Sequence, residues 1–187
     1  MCAKLIIPPA VEPVSLATAK AHLREVGTDQ DDLIAIYIEA ARRHVEQTSG
    51  VRCITQEWQL VLDEFPDDGL RLPGYPLESV QSIAYIDPDG LAQSITIADL
   101  VVDTASRPGM VYNPAGWPAT KDREGVVTID YTLGFGGTDD TVPADLRNAI
   151  LLLVGDLFEN RQGQQKETLA DNPAVASLLW PYRVMSP

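Results

Sequence analysis

The sequence predicts an α+β protein, a helical, bundle-like base carrying an inserted antiparallel β sandwich or barrel lobe. Two observations lead to it. Apolar residues recur at helical spacing in two long segments, one before residue 50 and one after residue 143. Between them lie six or seven short runs of strand character, punctuated by Gly, Pro and Asp turns. The predicted organisation is residues 1–50 as an N-terminal helical part, 51–142 as the β-rich lobe, and 143–187 as a C-terminal helix with a docking tail. The two helical parts are expected to pack together as one domain.

The first helix runs from an N-cap at Ser15 to about Glu25 and is stopped by Gly27. A second opens at Asp29 or Gln30, with Asp31 and Asp32 in the first turn, where the helix dipole favours anions. Gly50 stops it after Ser49. At about 100° per residue, Leu33, Ile34, Ile36, Tyr37, Ile38, Ala40, Ala41, His44 and Val45 fill an arc of roughly 200°, where about 100° suffices for one buried face. Ala35, Glu39, Arg42, Arg43 and Glu46 fill the rest. Such a helix is covered on more than one side, either centrally within its own fold or by a neighbouring subunit.

Strands follow at Ile54–Leu62, Leu70–Leu72, Val80–Ile86, about Gln93–Ile97, Val101–Val102, Met110–Tyr112 and Val126–Leu133. Turns at residues 64–69, 73–76 and 87–90 separate the first four. Gly134-Phe-Gly-Gly then leads to Pro143, at or near the first turn of a third helix. Leu146, Ala149, Ile150, Leu153, Val154 and Leu157 form its apolar face, which Leu151 and Phe158 widen to roughly 200°. The polar, Gly-containing stretch 162–165 reads as a joint, and Asn172–Tyr182 as one further short helix.

The formal net charge is −13, and the middle region 51–142 carries −10 of it, with five basic and fifteen acidic side chains. Nucleic-acid binders draw their affinity from cationic surface, so tight DNA or RNA binding is excluded as an expectation. The longest apolar run, Ala149–Gly155, spans seven residues, where a bilayer needs about 20. No secretory signal is read before Pro8–Pro9. Cys2 lies in a terminus expected to be mobile, and with Cys53 as the only other cysteine, reduced thiols are expected.

Chemistry-bearing constellations are weak. The Gly134-Phe-Gly-Gly run lacks a Walker lysine and a βαβ context, which makes it a strand-to-helix connection. The acid pairs Asp63/Glu64, Asp67/Asp68 and Asp139/Asp140 all sit beside turn residues, where solvated Asp is normal. His22 and His44 serve no nucleophile motif. Metal-ligand spacings are missing, so no metal or cofactor is expected. Arg161 and Arg147 stand on or beside the apolar side of the third helix. A guanidinium there finds a carboxylate or carbonyl within the fold or across an interface, or snorkels to water.

Taken together, several stretches carry a resemblance. They are Val14-Ser-Leu-Ala-Thr-Ala-Lys-Ala-His-Leu23, Asp31-Asp-Leu-Ile34, Tyr37-Ile38, Ala40-Ala-Arg42, Glu46 and Thr48-Ser-Gly50 in the helical part. The β part adds Gln56-Glu-Trp58, Phe65-Pro66, Leu72-Pro73, Pro76-Leu77, Ser79-Val80, Tyr85-Ile-Asp87, Asp89-Gly90 and Trp117-Pro118. Val142-Pro143, Leu146, Ala149-Ile150, Glu159-Asn-Arg161, Leu178-Leu179 and Pro181-Tyr-Arg183 complete it. In order and spacing the chain resembles the head–tail connector (adaptor) proteins of tailed bacteriophages, in the longer branch with an inserted β-rich lobe. It departs at Phe158, where that family often has tyrosine, and at Gln162, where an acid is usual.

The resemblance implies a non-enzymatic part of the virion neck, made in the host bacterial cytoplasm. Such proteins form a ring, usually dodecameric, under the portal protein, and present a surface to tail-completion or tail proteins. DNA passes through without specific binding. Ile36, Tyr37, Arg147, Phe158, Arg161, Leu178, Leu179, Trp180, Tyr182 and Arg183 are the expected subunit or portal contacts. Residues 163–187 are expected to dock on a partner, so that deleting them leaves the melting temperature nearly unchanged. Two other classes remain open: a carboxylate-dependent glycan hydrolase, which needs two acids about 5–9 Å apart, and a monomeric binding module using an exposed patch of the β lobe.

Overall fold

The computed structural model describes residues 2–160 and 172–183. The chain forms two compact units, one of Met1–Pro9 with Thr55–Phe135 and the other of Ala10–Ile54 with Gly136–Pro187. The first is β-rich and the second helical, in an α+β fold without a closed barrel.

In the β unit, strands β1 (Cys2–Ile7), β2 (Gln56–Leu62), β4 (Leu77–Ile86), β5 (Ala92–Ser94) and β8 (Val127–Leu133) form a five-stranded antiparallel sheet in the order β1-β2-β8-β4-β5. Strands β3 (Leu70–Leu72), β6 (Val101–Asp103) and β7 (Gly109–Tyr112) form a second sheet in the order β3-β7-β6. Alternation explains the core. Val127, Ile129 and Tyr131 of β8 are buried and pack with Leu60, Ile83, Leu70, Leu72 and Val111, which brings both sheets into one cluster. On the other face of β8, Asp130 accepts hydrogen bonds from Gln59 Nε2 (2.8 Å) and Ser82 Oγ (2.7 Å), joining three strands across the sheet.

Strand β1 corrects the expectation of a mobile terminus. Its residues pair antiparallel with β2, from Cys2 opposite Val61 to Ile7 opposite Glu57. The run before Pro8 is too short for its periodicity to reveal a strand, and its partner lies fifty or more residues away. The strand predicted from Ile54 begins only at Gln56, because Cys53 and Ile54 belong to the helical unit. The strand predicted over Gln93–Ile97 is shorter, since a 3₁₀ turn takes Ile97–Asp99.

In the helical unit, α1 (Leu16–Leu23) starts as expected: Ser15 Oγ accepts the Thr18 N–H at 3.1 Å. It ends earlier than Gly27. Arg24 takes the left-handed conformation (φ 58°), and the N–H groups of Arg24 and Glu25 close on the carbonyls of Ala21 and Lys20. Helix α2 (Asp31–Ser49) ends at Gly50, whose φ of 79° is the left-handed geometry that favours glycine. Helix α3 (Ala144–Glu159) packs against α2 and α1. The short α4 (Pro173–Leu179) continues into a 3₁₀ turn, Trp180–Tyr182, and packs on α3. Asn172 fixes that placement. Its Oδ1 caps α4 by accepting the Ala174 N–H at 3.0 Å, while its Nδ2 donates to Asp156 Oδ2 on α3 at 2.8 Å.

The buried face of α2 is Ile34, Ile38, Ala41, Arg42, Val45, Glu46 and Ser49. Arg42 and Glu46, assigned by periodicity to the polar side, are therefore interior, only 7% and 6% exposed. Burial is tolerated because each charge is answered. Arg42 donates from Nε and Nη2 to the two carboxylate oxygens of Glu12 (2.8 and 3.2 Å) and from Nη1 to Glu46 Oε2 (3.2 Å). The other oxygen of Glu46 accepts the Cys53 backbone N–H at 2.9 Å. Burial alone would weaken the Arg42 charge, but the Glu12 hydrogen bond and the fields of Glu46, Glu12 and Glu39 outweigh it, holding its pKa above the ordinary value. Burial, reinforced by Glu46, pushes the Cys53 thiol well up, so that cysteine is an inert packing residue.

Replacing one partner of this cluster leaves the other buried and uncompensated. Arg42→Met is expected to lower unfolding stability by about 3–5 kcal/mol in urea titrations. Arg43→Met, which removes only the exposed pair with Glu39 (3.8 Å), is expected to cost under about 1 kcal/mol.

Candidate assembly surfaces

Helix α2 turns a second, partly apolar side outward. Ile36 is 61% exposed, Ala35 and Ala40 are exposed, and Tyr37 is half-buried. The wide arc predicted from periodicity thus divides into a buried stripe and an uncovered one. On α3, Leu146, Ala149, Ile150, Leu153 and Val154 are buried, while Leu151, Leu152, Leu157 and Phe158 are only half covered.

The C-terminal segment divides in the same way. Leu179 is fully buried and Val175 nearly so, so these two residues of the segment expected to dock on a partner pack within the helical unit instead, while residues 163–171 and 184–187 lie outside the described residues. The two faces of so short a helix meet different surroundings, and the Asn172 clip to α3 sets which side faces in. Leu178 and Tyr182 are half-buried, Trp180 is 66% exposed and Arg183 is exposed. The Arg183 guanidinium lies 5.9 Å from the centre of the Trp180 ring, within cation–π reach. Tyr182 Oη is 3.5 Å from Asp145 Oδ2 at the start of α3. Arg161 and the joint read at residues 162–165 lie outside the described residues.

Two neighbouring hollows open on the helical unit. One, of about 400 Å³, is walled by Val11, Val14, Leu16, Ala35 and Ile38, with Glu12 and Asp139 at its polar edge. The other, of about 180 Å³, shares Val14 and Asp139 and adds Arg147 and Leu151. The Nε of Arg147 is buried without a hydrogen-bond partner. Asp140, beside this opening, has its pKa lowered by the Thr138 hydroxyl and, more weakly, by the Arg147 charge. His22 Nε2 lies where a side chain at Gly155 of α3 would meet it, so a glycine there leaves room between α1 and α3.

The β unit has a hollow of about 670 Å³ lined by Glu64, Asp67 and Asp68 together with Phe65, Tyr112 and Trp117. Phe65 stacks on Trp117 with ring centres 4.7 Å apart and planes 5° from parallel. Elsewhere in this unit, Arg107 lies 4.3 Å over the Tyr75 ring, which Phe135 meets edge-on. The Gly134–Gly137 loop runs into a 3₁₀ turn, Asp139–Thr141, before α3 begins, so acids rather than a phosphate cradle precede that helix. Among the described residues, no group of three or more His, Cys, Asp or Glu side chains is placed to hold a metal ion, and no helix is long and apolar enough to cross a membrane.

Residues 13–104, from the start of the helical unit through β6, match the model of a family described as Phage gp6-like head-tail connector protein. That segment is similar to a head–tail connector domain. Likeness of fold extends over the whole chain. The neck of an empty GTA particle with C6 symmetry contains a chain of TM-score 0.84 and 22% identity, with 100% of this chain and 97% of that one covered. The virion of a native gene transfer agent (GTA) particle gives 0.83 at 21% identity, and the neck of a native GTA particle with C12 symmetry 0.76 at 21%, with the same coverages. No curated protein sequence matches. The matched segment includes α1, α2 and Ile36; α3, α4 and Trp180 fall in the part matched by fold alone.

The periodicity that pointed to Ile36 passed over Arg42 and Glu46, although 34-38-42-46 is an unbroken i+4 row on one helix face. Nothing in the local pattern marks the hollow at Ala35 and Ile38, because residues far apart in sequence close it.

The division of the C-terminal segment is measurable. Leu179→Ala is expected to cost about 2–5 kcal/mol, as for a buried leucine. Trp180→Ala is expected to stay within about 0.5 kcal/mol of wild type. Equal and negligible effects in thermal melts would restore the reading of a free tail.

Proposed function

We propose that the protein is a structural virion-neck protein, a ring-forming head–tail connector that joins the portal to the tail or tail-completion proteins. The observation that carries this reading is the connector-family match over residues 13–104, on a chain whose entire fold resembles chains of GTA neck particles. The exposed side of α2 supports it. A 61% exposed isoleucine beside exposed alanines is surface that a ring neighbour covers at little desolvation cost.

Cyclic assembly needs a heterologous interface, with two different patches on each subunit. The outward sides of α2 and α3 provide candidate patches, and Ile36, Tyr37 and Phe158 keep their proposed role as contacts. A twelvefold ring following the portal is the stoichiometry we propose. The C6 and C12 symmetries of the GTA necks belong to those particles and are compatible with it. The β unit, where most of the negative charge lies, repels the phosphate backbone and lets DNA pass without being gripped.

Two outcomes test this. Ile36→Glu is expected to abolish ring formation in sedimentation velocity while leaving the circular-dichroism melt unchanged; full-sized rings from this variant would remove α2 from the interface. Gel shifts with duplex DNA at low salt, where attraction is exaggerated, are expected to show no complex. Saturable binding at micromolar protein would contradict the repelling surface.

A further inference from the structure

The helical unit carries both halves of a complementary contact. One half is a projection: Trp180, 66% exposed on a 3₁₀ turn, with the Arg183 guanidinium 5.9 Å from its ring. Its base is firm, because Leu179 is fully buried and Asn172 ties α4 to α3. The other half is a recess of about 400 Å³ with walls of Val11, Val14, Leu16, Ala35 and Ile38 and an acidic edge. None of the described residues 172–183 lines it, so the subunit's own tryptophan does not fill it.

We infer that this recess receives Trp180 and Arg183 of the adjacent copy in the ring. The inference rests on the connector reading and specifies which surfaces of two copies meet.

Charge complementarity selects a second copy as the occupant. Arg183 is the cation presented beside the indole, and Asp139 stands exposed on the rim of the recess. Glu12, the other acid at that edge, is held by Arg42 and supplies field rather than a new bond. Size agrees as well, since the recess accommodates an aromatic side chain, and burying one removes about 150–250 Å² from water. Projection and recess are different patches of one chain, as a closed head-to-tail ring demands. Trp and Arg are also the residue types enriched where a few side chains dominate binding.

The test uses the full chain, with self-association followed by sedimentation velocity over a concentration series and rings viewed by electron microscopy, with and without portal protein. Trp180→Ala, Asp139→Arg and Arg183→Asp are each expected to weaken self-association by about tenfold or more, with melting temperatures close to wild type. The double variant Asp139→Arg/Arg183→Asp is expected to recover most of the loss, because it restores the pair with its signs exchanged. Recovery in the double variant identifies the partner as another copy. Normal rings from all three single variants would overturn the contact while leaving the connector reading intact. Variants that form normal rings but no longer attach to portal would overturn it too, by assigning the projection to the portal. A wild-type chain that never associates, even on portal, would overturn both readings together.

Discussion

The antiparallel pairing of Gln56 with Leu133 closes the β unit's long excursion from the helical chain. The insertion leaves through β2 and returns through β8, and those two strands are neighbours over their whole length, from Gln56 opposite Leu133 to Leu62 opposite Val127. Entry and exit therefore lie side by side, as far apart as paired strands and no further. Within the helical unit, α2 and α3, more than ninety residues apart in sequence, pack together. The buried row of β8 supplies the energy for this closure. Val127, Ile129, Tyr131 and Leu133 are all withdrawn from solvent, and the Tyr131 hydroxyl donates to the Pro73 carbonyl at 3.1 Å.

Within the helical unit, the Glu12–Arg42–Glu46 cluster plays the corresponding part. It ties the segment before α1 to the middle of α2, and through the Cys53 N–H it fixes where the chain leaves the helix. A buried cluster of this kind is weak evidence for stability in its own right. It does impose one register, because no other side chain of α2 presents a guanidinium to Glu12. With that side of α2 committed inward, Ile36 and Ala35 are left facing out. A surface built in this way can serve contact while the monomer stays folded, which is the requirement on a subunit that folds before it assembles.

Helices, turns and most strands were legible in the sequence because their signals are local. Ser15 and Gly50 cap where a hydroxyl and a left-handed residue are needed, and Leu70–Leu72 stands where its alternation places it. Strand β1 was illegible, since a short apolar run before two prolines has meaning only once β2 offers it an edge. Arg42 and Glu46 were misplaced by a rule that treats charge as surface, although the i+4 row continuing Ile34 and Ile38 was present. The C-terminal segment was half legible: its apolar content was plain, but which residues face in depends on the Asn172–Asp156 contact. The recess at Ala35 and Ile38 is assembled from three chain segments, and no single one of them announces it.

The most direct measurement is electron microscopy of the purified protein mixed with portal protein. The account predicts closed rings of this chain seated on the portal, sharing its axis, with the helical units in contact between neighbours. Portal particles that carry no added density, beside free monomers at every concentration tried, would contradict it.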